Sequence, residues 1–184
     1  MFRPLNRAGA AFVAAGLVCV QAAFGQFGSN VTMRFDPAST TVPVGSVFTV
    51  NIVADIPEPV VGWGLDLTIQ NPAVVSQTAA PSIGPLWVAA YAPDGDGLAA
   101  LAFPSSVSGS GVLLGSVSFS ADTIGQTALW ISTTPGDLNE GFALASTGFA
   151  DLTFESGLVT VTPEPGSLVL LATATLMLRR RRGK

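Results

Sequence analysis

Hydrophobic and polar residues alternate one by one through most of the middle of the chain. The alternation is clearest in three segments: 47–54, 63–69 and 113–119. A period of two is typical of a β-strand that buries one face. This parity places Trp63 in a core, and it places Leu113, Val117 and Phe119 together on one buried face.

Shorter runs rich in β-branched and aromatic residues predict further strands. These runs are Val31–Phe35, Val74–Gln77, Leu86–Ala90, Leu98–Phe103, Ala128–Ser132, Ala150–Phe154 and Leu158–Val161. Proline and glycine clusters between the strands predict turns, including Pro57-Glu58-Pro59 and Gly109-Ser110-Gly111. No helical stripe interrupts the pattern. Nine or ten one-faced strands must pack as two sheets, so residues 26–162 are predicted to form a single all-β sandwich.

The N-terminal 25 residues have the three parts of a secretory signal peptide. Arg3 and Arg7 supply positive charge, residues 8–20 are apolar, and Ala23-Phe24-Gly25 offers small residues for cleavage after Gly25. The alternative is an uncleaved N-terminal anchor. Either interpretation places a hydrophobic helix before the sandwich and sends the body out of the cytoplasm.

Residues 163–184 form a second terminal unit. Ser167–Leu178 carries no charge, and five positive charges follow it within the last six positions. A helix over this stretch is short for a hydrocarbon core, although arginine side chains can extend to the interface. Positive charges stay cytoplasmic, so the segment predicts a transmembrane helix with the body outside. The alternative is a buried C-terminal helix of a soluble protein.

The C-terminal unit resembles the PEP-CTERM sorting signal. The matching parts are a tripeptide, an apolar helix and a basic cluster: Pro163, Glu164, Pro165, Arg179, Arg180, Arg181 and Arg182. Thr162 stands where the family often has valine. The resemblance implies recognition by an exosortase, a membrane-embedded transpeptidase-like enzyme. It also implies cleavage near the tripeptide and delivery to the bacterial cell surface or extracellular matrix.

The body resembles the cohesin-like sandwich, a nine-stranded jelly roll related to several carbohydrate-binding modules. The resemblance lies in Asp36-Pro37, residues 42–52, residues 62–75, residues 111–121 and the closing residues 150–161. It implies a binding module, because one sheet face of a cohesin binds a dockerin on a partner protein, and relatives bind polysaccharide. No dockerin-contacting residue can be assigned from the sequence.

Charge and composition exclude several functions. Between residues 26 and 165, twelve acidic residues accompany the single base Arg34, which gives a net charge of −11. Such a body cannot neutralise phosphates, so nucleic acid is excluded as a partner. The chain has no histidine, and Cys19, its one cysteine, lies in the signal peptide. Histidine-based catalysis, disulfides and cysteine zinc sites are therefore excluded.

Few residues suggest ligand chemistry. Trp87, Tyr91 and Trp130 are candidates for stacking on sugar rings, although a core position is favoured for Trp87. Asp94 and Asp96 lie in a glycine-rich loop that suits weak calcium binding. Residues 137–141 form a similar partial loop, and turn formation explains both loops better than calcium binding does. No resident cofactor is predicted.

These observations favour a non-catalytic surface or matrix protein that binds polysaccharide or a protein partner. One alternative is a purely structural matrix protein, which should show a polar, Ser/Thr-rich and acidic surface without a pocket. A glycoside hydrolase is the third possibility. It would need two carboxylates facing each other about 5–10 Å apart in a cleft. The sequence offers acidic residues in suitable loops but no pattern that pairs two of them across a cleft, so no catalytic residue is assigned.

Overall fold

The computed structural model describes residues 30–90, 97–164 and Gly166. The predicted signal peptide, Tyr91, Asp94, Asp96, Pro165, the C-terminal helix and Arg179–Arg182 lie outside the described residues. No helix in the described residues is long and apolar enough to cross a membrane.

Thirteen β-strands make up the described body. In chain order they are β1 (Asn30–Asp36), β2 (Ser39–Pro43), β3 (Val47–Gly64), β4 (Asp66–Ile69), β5 (Val75–Gln77), β6 (Ser82–Ile83), β7 (Trp87–Ala89), β8 (Ala99–Ala102), β9 (Val107–Ala121), β10 (Gly125–Ser132), β11 (Gly141–Leu144), β12 (Asp151–Phe154) and β13 (Gly157–Thr162). The count exceeds the predicted nine or ten because β2, β6 and β11 are short pieces without a strong alternating pattern.

Two sheets pack into the predicted sandwich. The larger sheet has nine strands, with the path β12-β1-β3-β8-β7; β9 and β11 also pair with β3, and β5 and β6 pair with β9. The smaller sheet has the order β2-β13-β10-β4. The chain crosses between the sheets at Pro37-Ala38, because β1 belongs to the larger sheet and β2 to the smaller one. In these sheets β1 lies parallel to β12, and β2 lies parallel to β13. The all-β sandwich is thus confirmed.

The predicted turn at Pro57-Glu58-Pro59 is wrong, because these residues lie inside β3. The predicted turn at residues 109–111 is also wrong, because it lies inside β9. The two segments lie together, since Ile56 pairs with Gly109, and the register shifts on both sides of Ile56. Proline lacks a donor for the ladder, and bulges accommodate that loss. The proline and glycine clusters therefore mark an irregular point shared by two long strands.

A second register shift moves a predicted core position. Ile52 pairs with Gly115, but Val53 pairs with Leu113, so Leu114 is the extra residue of a bulge. Leu114 is fully buried, whereas Leu113 is only partly buried. The prediction for Leu113 is wrong for this reason, while Val117 and Phe119 lie in the core as predicted.

Strand β10 runs from one end of the sandwich toward the other. Its first residue, Gly125, pairs with Val161, next to the end of β13. Its last residue, Ser132, pairs with Asp66 at the start of β4. The chain therefore leaves the body after Thr162 near one end of β10, and the loop that follows Ser132 lies at the other end.

Candidate partner-binding face

The three tryptophans have different environments. Trp63 and Trp87 are buried, with ring centroids 6.0 Å apart and planes at 90°. The indole nitrogen of Trp87 donates a hydrogen bond to the carbonyl oxygen of Leu113 at 2.9 Å. Trp87 is only 6% exposed, so it cannot offer a ring face to a sugar. The stacking prediction for Trp87 is corrected to the core position that the sequence also allowed.

Trp130 lies at the surface. It points outward from β10, next to Thr68 of β4, and is 48% exposed. Its neighbours Leu129 and Ile131 point inward and are buried. Trp130 therefore stays a candidate for stacking on a sugar ring, without Trp87 beside it.

The partial calcium loop at residues 137–141 has a structural explanation. One oxygen of Asp137 accepts hydrogen bonds from the backbone nitrogen and the side-chain amide of Asn139, both at 2.8 Å. This is an Asx-type turn. In the described part of the chain, no three acidic side chains come together in a way that could hold a metal ion.

Small residues form the floor of an open hollow on the outer face of the larger sheet. Gly62 of β3 pairs with Leu101 of β8 on one side and with Ala143 of β11 on the other. Trp63, the next residue, points inward, so Gly62 and its partners point outward. A Cβ atom on Gly62 would lie 2.9 Å from the side chain of Leu101. The hollow has a volume of about 180 Å³.

The loop between β10 and β11 forms one wall of this hollow. Leu138 and Asn139 line it. A Cβ atom on Gly64 would lie 2.1 Å from the carbonyl oxygen of Asn139. Glycine at position 64 therefore lets the loop backbone lie directly on the strand. On another side, the ring of Phe149 approaches Gly141, where a Cβ atom would lie 3.3 Å from the ring.

Four large apolar side chains around the hollow are exposed to solvent. The exposed fractions are 55% for Val88, 56% for Leu101, 80% for Leu138 and 48% for Phe149. Val88 pairs directly with Leu101, and the other three line the hollow itself. We call these four residues and the hollow the apolar face. Contiguous exposed apolar surface of this kind marks interaction sites.

Acidic side chains adjoin the wall of the apolar face. The carboxylate of Glu140 accepts a hydrogen bond from the backbone nitrogen of Thr134. The hydroxyl of Thr134 bonds to a carboxylate oxygen of Asp66 at 3.1 Å. Asp137 directly precedes Leu138. The wall therefore combines an exposed leucine with carboxylates held in place by the same loop.

A separate acidic residue joins the irregular points of β3 and β9. Asp55 accepts hydrogen bonds from the Ser110 hydroxyl at 2.6 Å and the Gly111 backbone nitrogen at 2.7 Å, and it forms an ion pair with Arg34 at 2.6 Å. The bond from Ser110 and then the other two donors lower the pKa of Asp55 from 3.8 to about 2. Arg34 lies on β1, Asp55 on β3, and Ser110 and Gly111 on β9, so these bonds join the three strands.

Comparisons with known proteins support the fold. No family model matches the sequence, and no curated protein matches it. A non-cellulosomal cohesin from the archaeon Archaeoglobus fulgidus has a similar structure, with a TM-score of 0.53 and 16% identity over 75% of this chain and 94% of that chain. The third ScaB cohesin of R. flavefaciens, solved with a group 1 dockerin, has a TM-score of 0.50 and 10% identity over 72% of this chain and 94% of that chain. The body thus has a cohesin-like β-sandwich fold.

Proposed function

We propose that this chain is an exported, non-catalytic surface or matrix protein whose sandwich binds a dockerin-like protein partner through the apolar face. The observation that carries the proposal is the cluster of four exposed apolar side chains around the hollow. Water contact with these side chains is unfavourable, and burial under a partner would remove it. The area is formed by strands and short loops, so it is pre-shaped for docking.

The structural likeness supports a dockerin-like domain as the kind of partner. One similar structure is a cohesin in complex with a dockerin. The residues lining the hollow are glycine, alanine, leucine and phenylalanine for the most part, and they supply no acid or base for bond cleavage. These features favour binding over catalysis.

Binding to a dockerin can be tested with the full chain in detergent. The probe is the group 1 dockerin of the R. flavefaciens complex, immobilised alongside other dockerin domains, with affinity measured by biolayer interferometry. Leu101→Asp places a charge on the apolar face and should abolish binding. Leu158→Asp is the matched control, because Leu158 is also exposed but lies on the smaller sheet. Equal loss in both variants, or no effect of Leu101→Asp, would contradict the proposed face.

Polysaccharide binding is a second candidate, favoured by the exposed ring of Trp130 on an open sheet face. Affinity gel electrophoresis with soluble bacterial exopolysaccharides measures it directly. Trp130→Ala should remove any retardation, while Leu101→Asp should leave it unchanged. Retardation that survives Trp130→Ala would exclude this ring as the sugar site.

Surface sorting is the localisation part of the proposal. It is supported by the predicted signal peptide, by the tripeptide and by the arginine cluster. Pro163 and Glu164 are exposed directly after β13, where a processing enzyme has access. Intact-mass analysis in hosts with and without an exosortase tests this part. Loss of the segment after about Pro163 only when the enzyme is present is the expected result. An intact C-terminus in both hosts would overturn the processing claim.

A further inference from the structure

The C-terminal segment leaves the body at one end of the sandwich, where two loops meet it. Thr162, the last residue of β13, accepts a hydrogen bond from the backbone nitrogen of Val44 at 2.9 Å. The loop that contains Val44 is joined to the loop after β9, because the backbone nitrogen of Gly45 donates to the carbonyl oxygen of Ala121 at 2.7 Å. We call this part of the body the exit end, and it consists of residues 43–47, residues 121–125 and Thr162.

Two large aliphatic side chains of the exit end are exposed to solvent. Val47 is 68% exposed, and Ile124 is 55% exposed. Ile124 directly precedes Gly125, which pairs with Val161, so Ile124 lies beside the point where the chain leaves the body. Single exposed aliphatic residues are common on protein surfaces. The position of these two, next to the start of the C-terminal segment, is what gives them a specific environment.

The linker between the exit end and the uncharged C-terminal segment is short. A Cβ atom on Gly45 would lie 3.9 Å from a side-chain oxygen of Glu164, so the side chain of Glu164 lies against the exit end. Three peptide steps separate Glu164 from Ser167, the first residue of the uncharged segment, and they span at most about 11 Å. The headgroup layer of a bilayer takes up about 6 Å of that distance. With the segment in a membrane, the exit end is therefore held against the headgroups.

The length of the uncharged segment brings the exit end closer still. As a helix, Ser167–Leu178 would span about 18 Å, which is less than a hydrocarbon core of about 30 Å. The arginines that follow the segment can extend to one interface only. The mismatch therefore draws the residues before Ser167, and the body with them, toward the other interface.

Carboxylates at the exit end decide which lipids suit it. Asp122 belongs to this end, and the side chain of Glu164 lies against it. The only base between residues 26 and 165 is Arg34, and it is paired with Asp55 on β3. Anionic lipid would repel these carboxylates. A zwitterionic bilayer carries no net charge and therefore suits the exit end better.

We propose that the exit end docks on a zwitterionic bilayer, with Val47 and Ile124 at the level of the headgroups, while the C-terminal segment is in the membrane. The inference rests on the proposed function and on the predicted transmembrane segment, and it adds a lipid-binding surface to the body. Aliphatic side chains gain free energy by leaving water. The short linker supplies the high effective concentration that so small a contact needs. Pro163 and Glu164 are then held at the membrane surface.

Fluorescence from single sites tests the docking in phosphatidylcholine vesicles. The protein is the exported form, residues 26–184, which retains every residue of the sandwich and contains no cysteine. A polarity-sensitive NBD fluorophore is attached to Val47→Cys, Ile124→Cys or Leu138→Cys. Leu138 is the matched control, because it is an exposed apolar residue in the loop at the other end of β10. Spin-labelled lipids should quench the labels at Val47 and Ile124 at least about twofold more than the label at Leu138. Equal quenching at the three sites would overturn the docking.

Charge variants assign the contact to the two aliphatic side chains and to the kind of lipid. Ile124→Asp should reduce the quenching of the Val47→Cys label to the level of the control site, whereas Leu138→Asp should leave it unchanged. Replacing about a third of the lipid with phosphatidylglycerol should lower the quenching at both sites, because anionic lipid repels Asp122 and Glu164. Quenching that survives Ile124→Asp, or that rises with phosphatidylglycerol, would contradict the proposed contact.

Flotation of the same vesicles separates this inference from the membrane segment on which it rests. A chain that floats with the vesicles but shows no excess quenching at Val47 and Ile124 keeps the membrane segment and overturns the docking. A chain that does not float with the vesicles overturns both. Flotation together with the excess quenching is the expected result.

Discussion

The ring of Trp87 stands at 90° to the ring of Trp63. The indole nitrogen of Trp87 donates a hydrogen bond, whereas the buried indole nitrogen of Trp63 has no partner among the described residues. The acceptor is the carbonyl oxygen of Leu113, next to the bulge in β9. The pair therefore joins the core of the sandwich to the bulge in the pairing of β3 with β9. Because the two tryptophans are in contact and differ in this hydrogen bond, substituting each in turn measures what the bond contributes to stability.

Replacing each tryptophan by phenylalanine should give unequal losses of stability. Both changes remove part of a buried ring, but Trp87→Phe also leaves the carbonyl of Leu113 without its donor. We expect Trp87→Phe to lower the free energy of unfolding by about 1 kcal/mol more than Trp63→Phe. Urea unfolding measures both. Equal losses would show that the bond to Leu113 contributes nothing.

Gly64→Ala should displace the wall of the apolar face. The new Cβ would lie 2.1 Å from the carbonyl oxygen of Asn139, which is backbone and cannot turn aside. We expect a loss of about 2 kcal/mol or more in stability and weaker dockerin binding. Gly136→Ala is the control in the same loop, because it meets only the strain of a positive φ of 90° and no neighbouring atom within 4 Å. It should cost about 1 kcal/mol and preserve binding.

The Asp55 cluster predicts a loss of stability in acid. The pKa of Asp55 is near 2 in the folded protein and 3.8 ordinarily, so its contribution is present above pH 4 and disappears as the pH falls toward 2. Solvent screens this partly exposed group, so the contribution should be about 1 kcal/mol. Asp55→Asn should remove this part of the pH dependence in urea unfolding between pH 7 and 2. Ser110→Ala should remove only part of it, and an unchanged curve in both variants would contradict the prediction.

Thr127 is the one polar residue of the described chain that is fully buried, and its hydroxyl accepts a hydrogen bond from the backbone nitrogen of Asn71 at 2.8 Å. Thr127→Val keeps the volume and removes the acceptor, so the Asn71 amide should exchange with deuterium at least tenfold faster. Thr127→Ser keeps the hydroxyl and should leave this amide protected. Fast exchange in the serine variant would indicate that packing, rather than the bond, protects Asn71.

Local alternation predicted the sandwich well because burial of one strand face is encoded residue by residue. Trp63 and Leu65 are buried as their parity required. Parity fails where a bulge adds a residue, as at Leu114, because the next position on the same face is then offset by one. The proline and glycine clusters near Pro57 and Gly109 were interpreted as turns. In the structure they lie opposite each other at register shifts between β3 and β9, and both strands continue past them.

The apolar face could not be predicted in the same way. Gly62, Leu101, Leu138 and Phe149 come from four separate parts of the chain, and none belongs to a recognisable motif. Leu138 and Phe149 lie outside the strands, where single apolar residues are common. The excess of acidic residues in the body does not indicate where these apolar side chains meet. Pairing of β3 with β8 and β11 is what brings these residues together.

The length of β10 fixes the distance between the point where the C-terminal segment leaves the body and the loop beside the hollow. The C-terminal segment leaves the body beside Val161, the partner of Gly125, whereas the loop beside the hollow follows Ser132. Eight extended residues hold these points about 23 Å apart. If the C-terminus tethers the protein to a surface, the apolar face has a built-in stand-off from that surface. A partner could then dock without a long flexible stalk.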